Sequence, residues 1–466
     1  METQQRAQRT LNAQTFPLPK RPPIRIVHLG LGAFHRAHEA WYTWKADSEA
    51  EWGIACFTGR SPAAATALAS QDGLYTLIER SATGDTFQVV SSIVEARDGS
   101  ELARLRELLR AETTAVVTLT ITEAGYHLLP NGALDLDQPA VAADIQALRQ
   151  SEDLPDNGGP STPIGRLVLG LGDRMSARAG EIAIVCCDNL ADNAAATRNA
   201  VFGLAQAADP PLASWIAENV SFVGTSVDRI TPRTTDADLD IVREYLGLED
   251  HSPVVTEPFT NWILSGSFPM GRPAWEDAGA VFVENLEPYE NRKLWLLNGA
   301  HSLLAYTGLQ RGHTTVAEAL LDPYCSRWVQ EFWDEAERNL PSKELQISAY
   351  RAALLERFSN KRISHQLSQI AADGTHKLRM RALPVIQAEL SAGRPATGAM
   401  RVISAWLGWV QGAETIQDPA IEAIRAALQQ DGRKRTESLT ATIDQQLAQD
   451  PSALELIEKL AGSVRS

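Results

Sequence analysis

The feature that most constrains this chain is an alternation of short β-branched runs with helix-like segments over residues 24–286. The runs at 24–29, 53–57, 114–122, 182–187 and 220–227 have the composition of buried strands. Helix-compatible stretches lie between them, at about 36–47, 63–70 and 194–207. Strands that alternate with helices form a parallel sheet that is covered by helices. Residues 24–286 are therefore predicted to form an α/β domain.

The spacing of apolar residues changes near residue 287. From there to residue 466 the apolar spacing is typical of helices, and no convincing strand run is found. We therefore expect a second, mainly α-helical domain over 287–466. Residues 1–23 are polar at their start and are expected to form a flexible or loosely docked N-terminal tail.

Composition narrows the class of partner. The formal net charge is −15, from 58 acidic and 43 basic side chains. Proteins that bind nucleic acids or anionic membranes usually carry a basic excess, so both partners are disfavoured. No apolar run is long enough for a membrane span, and the N-terminus lacks the apolar stretch of a signal peptide. We expect a cytoplasmic protein with a small-molecule substrate, and the sequence leaves its oligomeric state open.

Four cysteines and three clustered histidines raise the question of a metal. Cys56, Cys186, Cys187 and Cys325 lack the spacing of a disulfide framework or a zinc site. His28 lies within a predicted strand, whereas His35 and His38 lie near a helix start, and no acidic pattern completes a site. The sequence therefore predicts reduced thiols and no metal.

A glycine-containing turn joins the first strand to the first helix. Its residues are Gly30, Leu31, Gly32, Ala33, Phe34 and His35. Two glycines at this point let the chain turn tightly and let its backbone approach a ligand phosphate. His35 replaces the third glycine of the usual dinucleotide fingerprint. We interpret the turn as the cofactor site of a Rossmann-like domain, although a purely structural turn is the alternative. Thr122 and Glu123, at the end of the central strand, are further candidates for contact with a cofactor.

The second strand does not show which nicotinamide cofactor is used. In NAD enzymes a carboxylate that binds the ribose hydroxyls usually ends this strand. Here the strand is followed by Thr58, Gly59, Arg60 and Ser61. Arg60 is suited to a 2′-phosphate, or else it is a solvated loop residue. NAD is expected, and NADP is possible.

Three polar residues lie close together in the segment that opens the second domain. On an α-helix Lys293, Asn298 and His301 would point to about 0°, 140° and 80°, which is one side of the helix. A lysine desolvated by apolar neighbours has a lowered pKa and can act as a general base. An amide can donate to a developing oxyanion, and an imidazole can hold a substrate hydroxyl. The alternative is a partly exposed amphipathic helix.

Two more candidates follow predicted strands. Asn189 comes directly after the strand at 182–187, and Asp228 follows the strand at 220–227. Ligands bind at the carboxyl ends of the strands in open α/β sheets. Capping of the next helix is the alternative role for both residues.

Several stretches together resemble the polyol-specific long-chain dehydrogenases, the family of mannitol 2-dehydrogenase and fructuronate reductase. They are Ile26-Val-His-Leu-Gly-Leu-Gly-Ala-Phe-His-Arg-Ala-His38, Leu119-Thr-Ile-Thr-Glu-Ala-Gly-Tyr126, Cys187-Asp-Asn-Leu190, Val227-Asp-Arg-Ile-Thr-Pro232, Gly271-Arg-Pro-Ala-Trp275, Leu297-Asn-Gly-Ala-His301 and Glu356-Arg-Phe-Ser-Asn360. They occur in the family's order. The resemblance implies a dinucleotide-binding domain followed by a mainly helical substrate domain, with NAD or sometimes NADP and without zinc.

The resemblance also implies roles for individual residues. Lys293 matches the family's base, Asn189 and Asn298 match its oxyanion-binding asparagines, and His301 matches a histidine near the substrate. Glu290 matches a glutamate associated with proton exchange to solvent, and Asp228 matches a site aspartate. Lys377 matches the lysine that ends an Asp-Gly-Ser-x-Lys stretch in the family. It could bind a carboxylate or phosphate of the substrate, and a surface base is the alternative.

The resemblance leaves the substrate open. Gln369 stands where mannitol dehydrogenases commonly have arginine, whereas fructuronate reductases have glutamine there and a histidine that matches His365. We predict the interconversion of D-mannitol and D-fructose. D-mannonate with D-fructuronate is the first alternative, and mannitol 1-phosphate with fructose 6-phosphate is the second. A non-catalytic nucleotide-binding protein is the alternative from another class, and it would need a broken set of lysine, asparagine and histidine.

Overall fold

The computed structural model describes residues 9–18, 20–150, 159–341 and 343–462. The chain divides into two compact units, Met1–Leu286 and Glu287–Ser466. Within the described ranges no helix is both long and apolar enough to cross a bilayer.

The first unit is built on a predominantly parallel sheet. Its strands are β1 (Ile24–Leu29), β2 (Gly53–Phe57), β5 (Ile93–Arg97), β6 (Val116–Leu119), β7 (Ile182–Cys186), β8 (Val220–Asp228), β10 (Asn261–Ser265) and β11 (Val281–Phe282). Among the described residues they follow the order β11-β10-β8-β7-β6-β1-β2-β5, and only the pair of β8 and β10 is antiparallel. The predicted Rossmann-like α/β fold is confirmed.

The strand order places a ligand site by topology. The chain leaves β1 towards β2 on one side, and β6 pairs with β1 on the other side. In open α/β sheets the crevice for a ligand opens at the carboxyl ends of the strands where the order reverses in this way. The turn that starts at Gly30 lies at this point. A smaller sheet in the order β4-β3-β9 consists of β3 (Tyr75–Arg80), β4 (Asp85–Val90) and β9 (Val254–Thr256).

Alternating side chains of the main sheet supply two hydrophobic clusters. Val27, Val117 and Ile184 belong to one cluster, whereas their neighbours Ile26, Val116 and Val185 belong to the other. Such a switch at every residue is what the two-residue repeat of a strand produces. Helices cover the sheet: α1 (Ala33–Ala37), α2 (Glu39–Ala46), α3 (Ala63–Ala69), α4 (Leu102–Arg110), α5 (Pro139–Arg149), α6 (Pro163–Ala177), α7 (Asn193–Ala208), α8 (Pro210–Asn219) and α9 (Asp236–Leu246).

Part of the N-terminal tail is docked on the first unit. Thr10 forms a parallel bridge with Glu249, and the side chain of Leu11 is fully buried. Residues 1–8 of the tail lie outside the described residues.

Helices are the regular secondary structure of the second unit in its described residues, apart from one isolated bridge between Thr315 and Gln366. Its helices are α10 (Glu287–Arg292), α11 (Ala300–Gln310), α12 (Val316–Leu321), α13 (Pro323–Arg338), α14 (Ile347–Ser359), α15 (Leu367–Ala371), α16 (Gly374–Arg381), α17 (Leu383–Ser391), α18 (Thr397–Val410), α19 (Ile421–Leu428), α20 (Gly432–Ala441), α21 (Gln445–Gln449) and α22 (Pro451–Ala461). Residues Lys293–Gly299, between α10 and α11, form a π-helical segment, the π-turn. The buried rings of Trp328, Trp333 and Trp406 belong to α13 and α18.

Candidate active site

The turn after β1 requires glycine at its first position. Gly30 has a φ of +109°, and a Cβ placed there would lie 2.0 Å from the carbonyl oxygen of Thr120. The backbone N–H groups of Gly30 and Leu31 donate to the carbonyl of Phe57 at 2.9 and 3.0 Å, which ties the turn to the end of β2. The backbone of β1 thus passes close to that of β6 at the edge where a ligand is expected.

A cavity of about 480 Å³ opens beside this turn, which is within the usual size range of small-molecule sites. It is lined by Gly30, Leu31, Gly59, Arg60, Thr120, Ile121, Thr122, Ala124, Gly125, His127, Ser161, Thr162 and Pro163. Four of the predicted cofactor residues are among them: Gly30, Leu31, Arg60 and Thr122. Gly32, Ala33, Phe34, His35 and Glu123 are not.

His35 points into the protein interior. Its side chain is fully buried, its ring stacks on that of His28 at a centroid distance of 3.4 Å, and its Nδ1 lies 3.3 Å from Oε2 of Glu39. Burial favours the neutral carboxyl of Glu39, but contacts with His35 and His38 prevail and hold its pKa far below the ordinary value. The residue that replaces the third glycine therefore packs under the turn, and the prediction that it contacts the cofactor is not supported by its position.

The clustered histidines contact other protein groups. No group of three or more His, Cys, Asp or Glu side chains is arranged to hold a metal ion in the described parts of the chain. The ring of His28 lies 2.8 Å from Oγ1 of Thr118 and 3.1 Å from Oγ1 of Thr120. Burial, followed by the nearby His35, lowers the pKa of His28 well below its ordinary value, so this ring is neutral.

Asp188 organises the cavity wall, a role that sequence reasoning missed. Its carboxylate accepts hydrogen bonds from the N–H groups of Ile121 and Thr122 at 2.9 and 2.8 Å and from the hydroxyl of Tyr126 at 2.7 Å. The amide of Thr120 still donates to the carbonyl of Leu29 in β1 at 3.0 Å, whereas those of Ile121 and Thr122 bind this side chain and not a neighbouring strand. The strand predicted at 114–122 therefore does not continue through Ile121 and Thr122. The available signal was the place of Asp188 directly after a buried strand.

Asn189 and Asp228 lie where the sequence placed them, at strand ends of the first unit. Asn189 is exposed, and it does not cap α7, because the carboxylate of Asp192 accepts from the N–H of Ala195 at that helix start. Asp228 is the last residue of β8 and is buried. Its neighbour Arg229 is also buried, and its guanidinium donates to the carbonyls of Ala37 and Glu257 and to the carboxylate of Glu79.

The segment that carries Lys293 and Asn298 is not an α-helix. A π-helix bonds each N–H to the carbonyl five residues back, one residue further than an α-helix does. The expected spacing of 100° per residue is therefore wrong for Lys293–Gly299. Lys293 and Asn298 are five residues apart and lie on neighbouring turns of the π-helix, which brings the two residues closer together than an α-helix would. Short π-helical segments are frequently found at functional sites.

His301 follows on α11 in a buried and electropositive environment. Burial lowers its pKa far below the ordinary value, and the charges of His365, Arg357 and Arg381 lower it further. Its ring lies 4.8 Å from that of His365 and 4.7 Å from that of Phe358. Within the part of the chain that the structure describes, its buried Nε2 atom has no hydrogen-bond partner. A neutral imidazole of this kind is available to bind a hydroxyl.

Glu290 and Lys377 are both half-buried in the second unit. Glu290 lies on α10, just before the π-turn. On α16, the Nζ atom of Lys377 donates to the carbonyl of Ile370 at 3.1 Å. Burial, together with the charge of Arg381, lowers the pKa of Lys377. This ammonium therefore has a structural partner in addition to its predicted role.

Comparisons with known proteins agree over both units. The family model of the mannitol dehydrogenase Rossmann domain matches residues 24–277, and that of the mannitol dehydrogenase C-terminal domain matches residues 285–464. The chain is 36% identical to the D-mannonate oxidoreductase of Escherichia coli over 86% of this chain and 82% of the relative. It is 35% identical to the mannitol 2-dehydrogenase of Aspergillus terreus over 89% of this chain and 85% of the relative.

A solved structure of the same family is also similar to this chain. The mannitol 2-dehydrogenase of Pseudomonas fluorescens, in a ternary complex with NAD and D-mannitol, superposes with a TM-score of 0.79 at 31% identity, covering 98% of this chain and 97% of that one. The likeness extends over almost the whole length of both chains.

Proposed function

Because the chain belongs to the mannitol dehydrogenase family, we propose that it is a nicotinamide-dependent secondary-alcohol dehydrogenase that interconverts an acyclic sugar alcohol, or the corresponding aldonate, with its ketose. The observation that carries this proposal is the π-turn, which presents Lys293 and Asn298 on neighbouring turns just before the buried His301. An amine, an amide and a neutral imidazole suit alcohol oxidation, because they can act as a base, an oxyanion donor and a hydroxyl ligand.

The first unit fits a dinucleotide. The Gly30 turn brings backbone close to the cavity in a way that any Cβ would block, and Thr120 and Thr122 line the same space. When bound, NAD supplies the acceptor for the hydride that leaves the alcohol carbon. Arg60 lines the cavity, and no carboxylate follows β2 before it. These two features support NADP as the alternative cofactor, because a guanidinium pairs well with a 2′-phosphate.

The second unit supplies the proton chemistry in this proposal. Lys293 removes the hydroxyl proton of the substrate as the carbonyl forms. The side-chain amide of Asn298 donates to the oxygen that gains negative charge, and the neutral ring of His301 orients a hydroxyl. Asn189, Asp228 and Glu290 keep the roles that the family resemblance implies, which are oxyanion binding for Asn189, a site carboxylate for Asp228 and proton exchange for Glu290.

D-mannitol and D-fructose are the first substrate pair in the proposal. Relatives named mannitol 2-dehydrogenase support it, and the structure from Pseudomonas fluorescens holds D-mannitol. A neutral polyol needs hydrogen-bond donors and acceptors and no charged partner.

D-mannonate and D-fructuronate are the second pair, and one observation favours them. The groups whose charges lower the pKa of His301 are His365, Arg357 and Arg381, and all three are basic. Such a field stabilises a carboxylate on the substrate and does little for a neutral polyol. The Escherichia coli relative named D-mannonate oxidoreductase agrees with this candidate.

The test is the oxidation of NADH and of NADPH, followed by absorbance, with D-fructose, D-fructuronate and fructose 6-phosphate as substrates. A preference for D-fructose supports the polyol pair, whereas a preference for D-fructuronate assigns the aldonate pair. If none of these ketoses, nor tagaturonate or xylulose, is reduced while NADH still raises the melting temperature, the chain is a non-catalytic nucleotide-binding protein and the proposal is wrong.

A further inference from the structure

The π-turn is held from outside by two side chains. The indole N–H of Trp333, on α13, donates to the carbonyl of Leu296 at 2.7 Å, and both residues are fully buried. The guanidinium of Arg381, at the end of α16, donates to the carbonyl of Asn298 at 3.3 Å and to the hydroxyl of Ser302 at 3.0 Å. Two backbone carbonyls of the segment that carries the proposed base, those of Leu296 and Asn298, thus accept from donors on other helices.

The π-turn packs so closely against α13 that Gly299 has no room for a side chain. A Cβ at Gly299 would lie 2.5 Å from Cε1 of Phe332, which is fully buried. Phe332 precedes Trp333, so the same stretch of α13 supplies both the close contact and the indole donor. Here glycine is required by the approach of a neighbouring ring and not by its own backbone angles.

These contacts matter because π-helical backbone is unfavourable by itself. Most π-helical segments are short insertions in α-helices, and they persist where the surroundings compensate for them. Carbonyls that leave the α-helical ladder need other donors, since a buried unsatisfied carbonyl costs about 1–3 kcal/mol. If the segment returned to the α-helical register, five residues would again span about 140° around the axis. Lys293 and Asn298 would then diverge.

We propose that Trp333 and Arg381 are positioning residues that hold the π-turn in register and thereby set the placement of Lys293 relative to Asn298. The inference rests on the proposed function, in which these two residues act on the same alcohol oxygen. Neither Trp333 nor Arg381 needs to touch the substrate for this role.

The test uses two variants and two matched controls. Trp333→Phe removes the indole N–H and keeps an aromatic ring, and Trp328→Phe makes the same change five residues earlier on α13, where the ring packs near Arg401. Arg381→Met removes the guanidinium that binds Asn298. Its control is Arg379→Met on the same helix, where the guanidinium donates to the carbonyls of Ile443 and Thr442. Each control loses the same kind of group as its variant and leaves the hydrogen bonds to the π-turn in place.

The proposal predicts that kcat falls roughly 10- to 100-fold in Trp333→Phe and Arg381→Met, because a misplacement of about 1 Å at a catalytic group has effects of this size. The Kd of NADH stays within about 2-fold of the wild-type value in both variants, because the changes lie outside the first unit. Each control keeps kcat within about 3-fold of the wild-type value. The pH profile of kcat also shifts in both variants, because the base that it reports has moved. Arg381→Lys, which keeps one donor, restores part of the loss.

The outcomes separate this inference from the function on which it rests. If Lys293→Ala keeps its turnover, the proposed function is wrong. If Lys293→Ala is inactive but Trp333→Phe and Arg381→Met match their controls in kcat and pH profile, the positioning role is overturned. If Arg381→Met raises only the KM for an anionic ketose and leaves kcat unchanged, Arg381 binds the substrate. This result also overturns the positioning role. If Trp333→Phe fails to fold, the comparison of Arg381→Met with Arg381→Lys decides.

Discussion

The carboxylate of Asp188 accepts a hydrogen bond of 2.8 Å from the backbone N–H of Thr122, a residue whose φ is +67°. A threonine rarely adopts such a backbone angle, which costs of the order of 1–3 kcal/mol and persists where the surroundings enforce it. Thr122 lines the cavity beside the Gly30 turn. Asp188 thus holds a strained segment of the proposed cofactor site in place.

Asp188→Asn is therefore expected to weaken cofactor binding. The amide can accept only one of the two backbone hydrogen bonds and turns an NH₂ group towards the other donor. We expect a loss of about 1–3 kcal/mol in stability and a rise of several-fold in the Kd of NADH, measured by urea unfolding and by fluorescence titration. Asp192→Asn is the control, because asparagine caps a helix as well as aspartate does. Equal effects of the two substitutions would contradict this role.

Gly30→Ala should abolish the nucleotide site. The added Cβ would overlap the carbonyl of Thr120 at 2.0 Å, and the φ of +109° is unfavourable for alanine. We expect the Kd of NADH to rise at least 10-fold and the melting temperature to fall. Gly59→Ala, in the same cavity wall, places its Cβ in open space, so it should change neither quantity much. Similar NADH binding by both variants would show that the ligand does not use this turn.

Arg60 gives a prediction about cofactor choice. It is an exposed arginine in the cavity wall and follows a strand end without a carboxylate. If it binds a 2′-phosphate, Arg60→Ala should raise the KM for NADPH by about 10- to 100-fold and leave that for NADH unchanged, since one charged hydrogen bond is worth about 1.5–3 kcal/mol. An equal change for both cofactors would contradict the assignment.

The buried histidines predict that the protein loses stability in acid. Burial lowers the pKa values of His28, His35, His301 and His365 below the ordinary value of 6.5. The unfolded chain therefore binds protons below pH 6.5 that the folded chain does not. Stability is present above this pH and falls as the pH drops, by up to about 1.4 kcal/mol per pH unit for each histidine.

Urea unfolding at pH 7.5 and at pH 5.5 measures this loss. His301→Asn removes one of the titrating groups, so its loss between the two pH values should be smaller than that of the wild-type chain. The surface variant His376→Asn serves as the control, because His376 is exposed. An undiminished loss in His301→Asn would show that its ring is not held neutral in the folded state.

Much of the first unit could be predicted because its signals are local. The bounds of β1 and β2 were predicted correctly, since both strands are short apolar runs that end at a turn. The glycine at position 30 could also be interpreted from sequence, because a tight turn after a strand limits the choice of residue.

What the sequence did not predict depends on contacts between distant residues. Asp188 binds the amides of Ile121 and Thr122, which follow the strand of Val116–Leu119 and lie 67 and 66 positions before it along the chain. The π-turn accepts hydrogen bonds from Trp333 and Arg381, which lie on other helices. The contact of His35 with Glu39 was not predicted either, although the spacing of four residues fits one helical face.

The most direct test of the central claim is the turnover of Lys293→Ala with the preferred ketose and NADH near neutral pH, together with its Kd for NADH. If Lys293 is the base, kcat falls by roughly 10²- to 10⁴-fold, the range expected for the loss of a general acid or base, while the Kd stays within about 2-fold. A variant that retained most of the wild-type turnover with unchanged NADH binding would contradict the assignment of the base and the mechanism built on it.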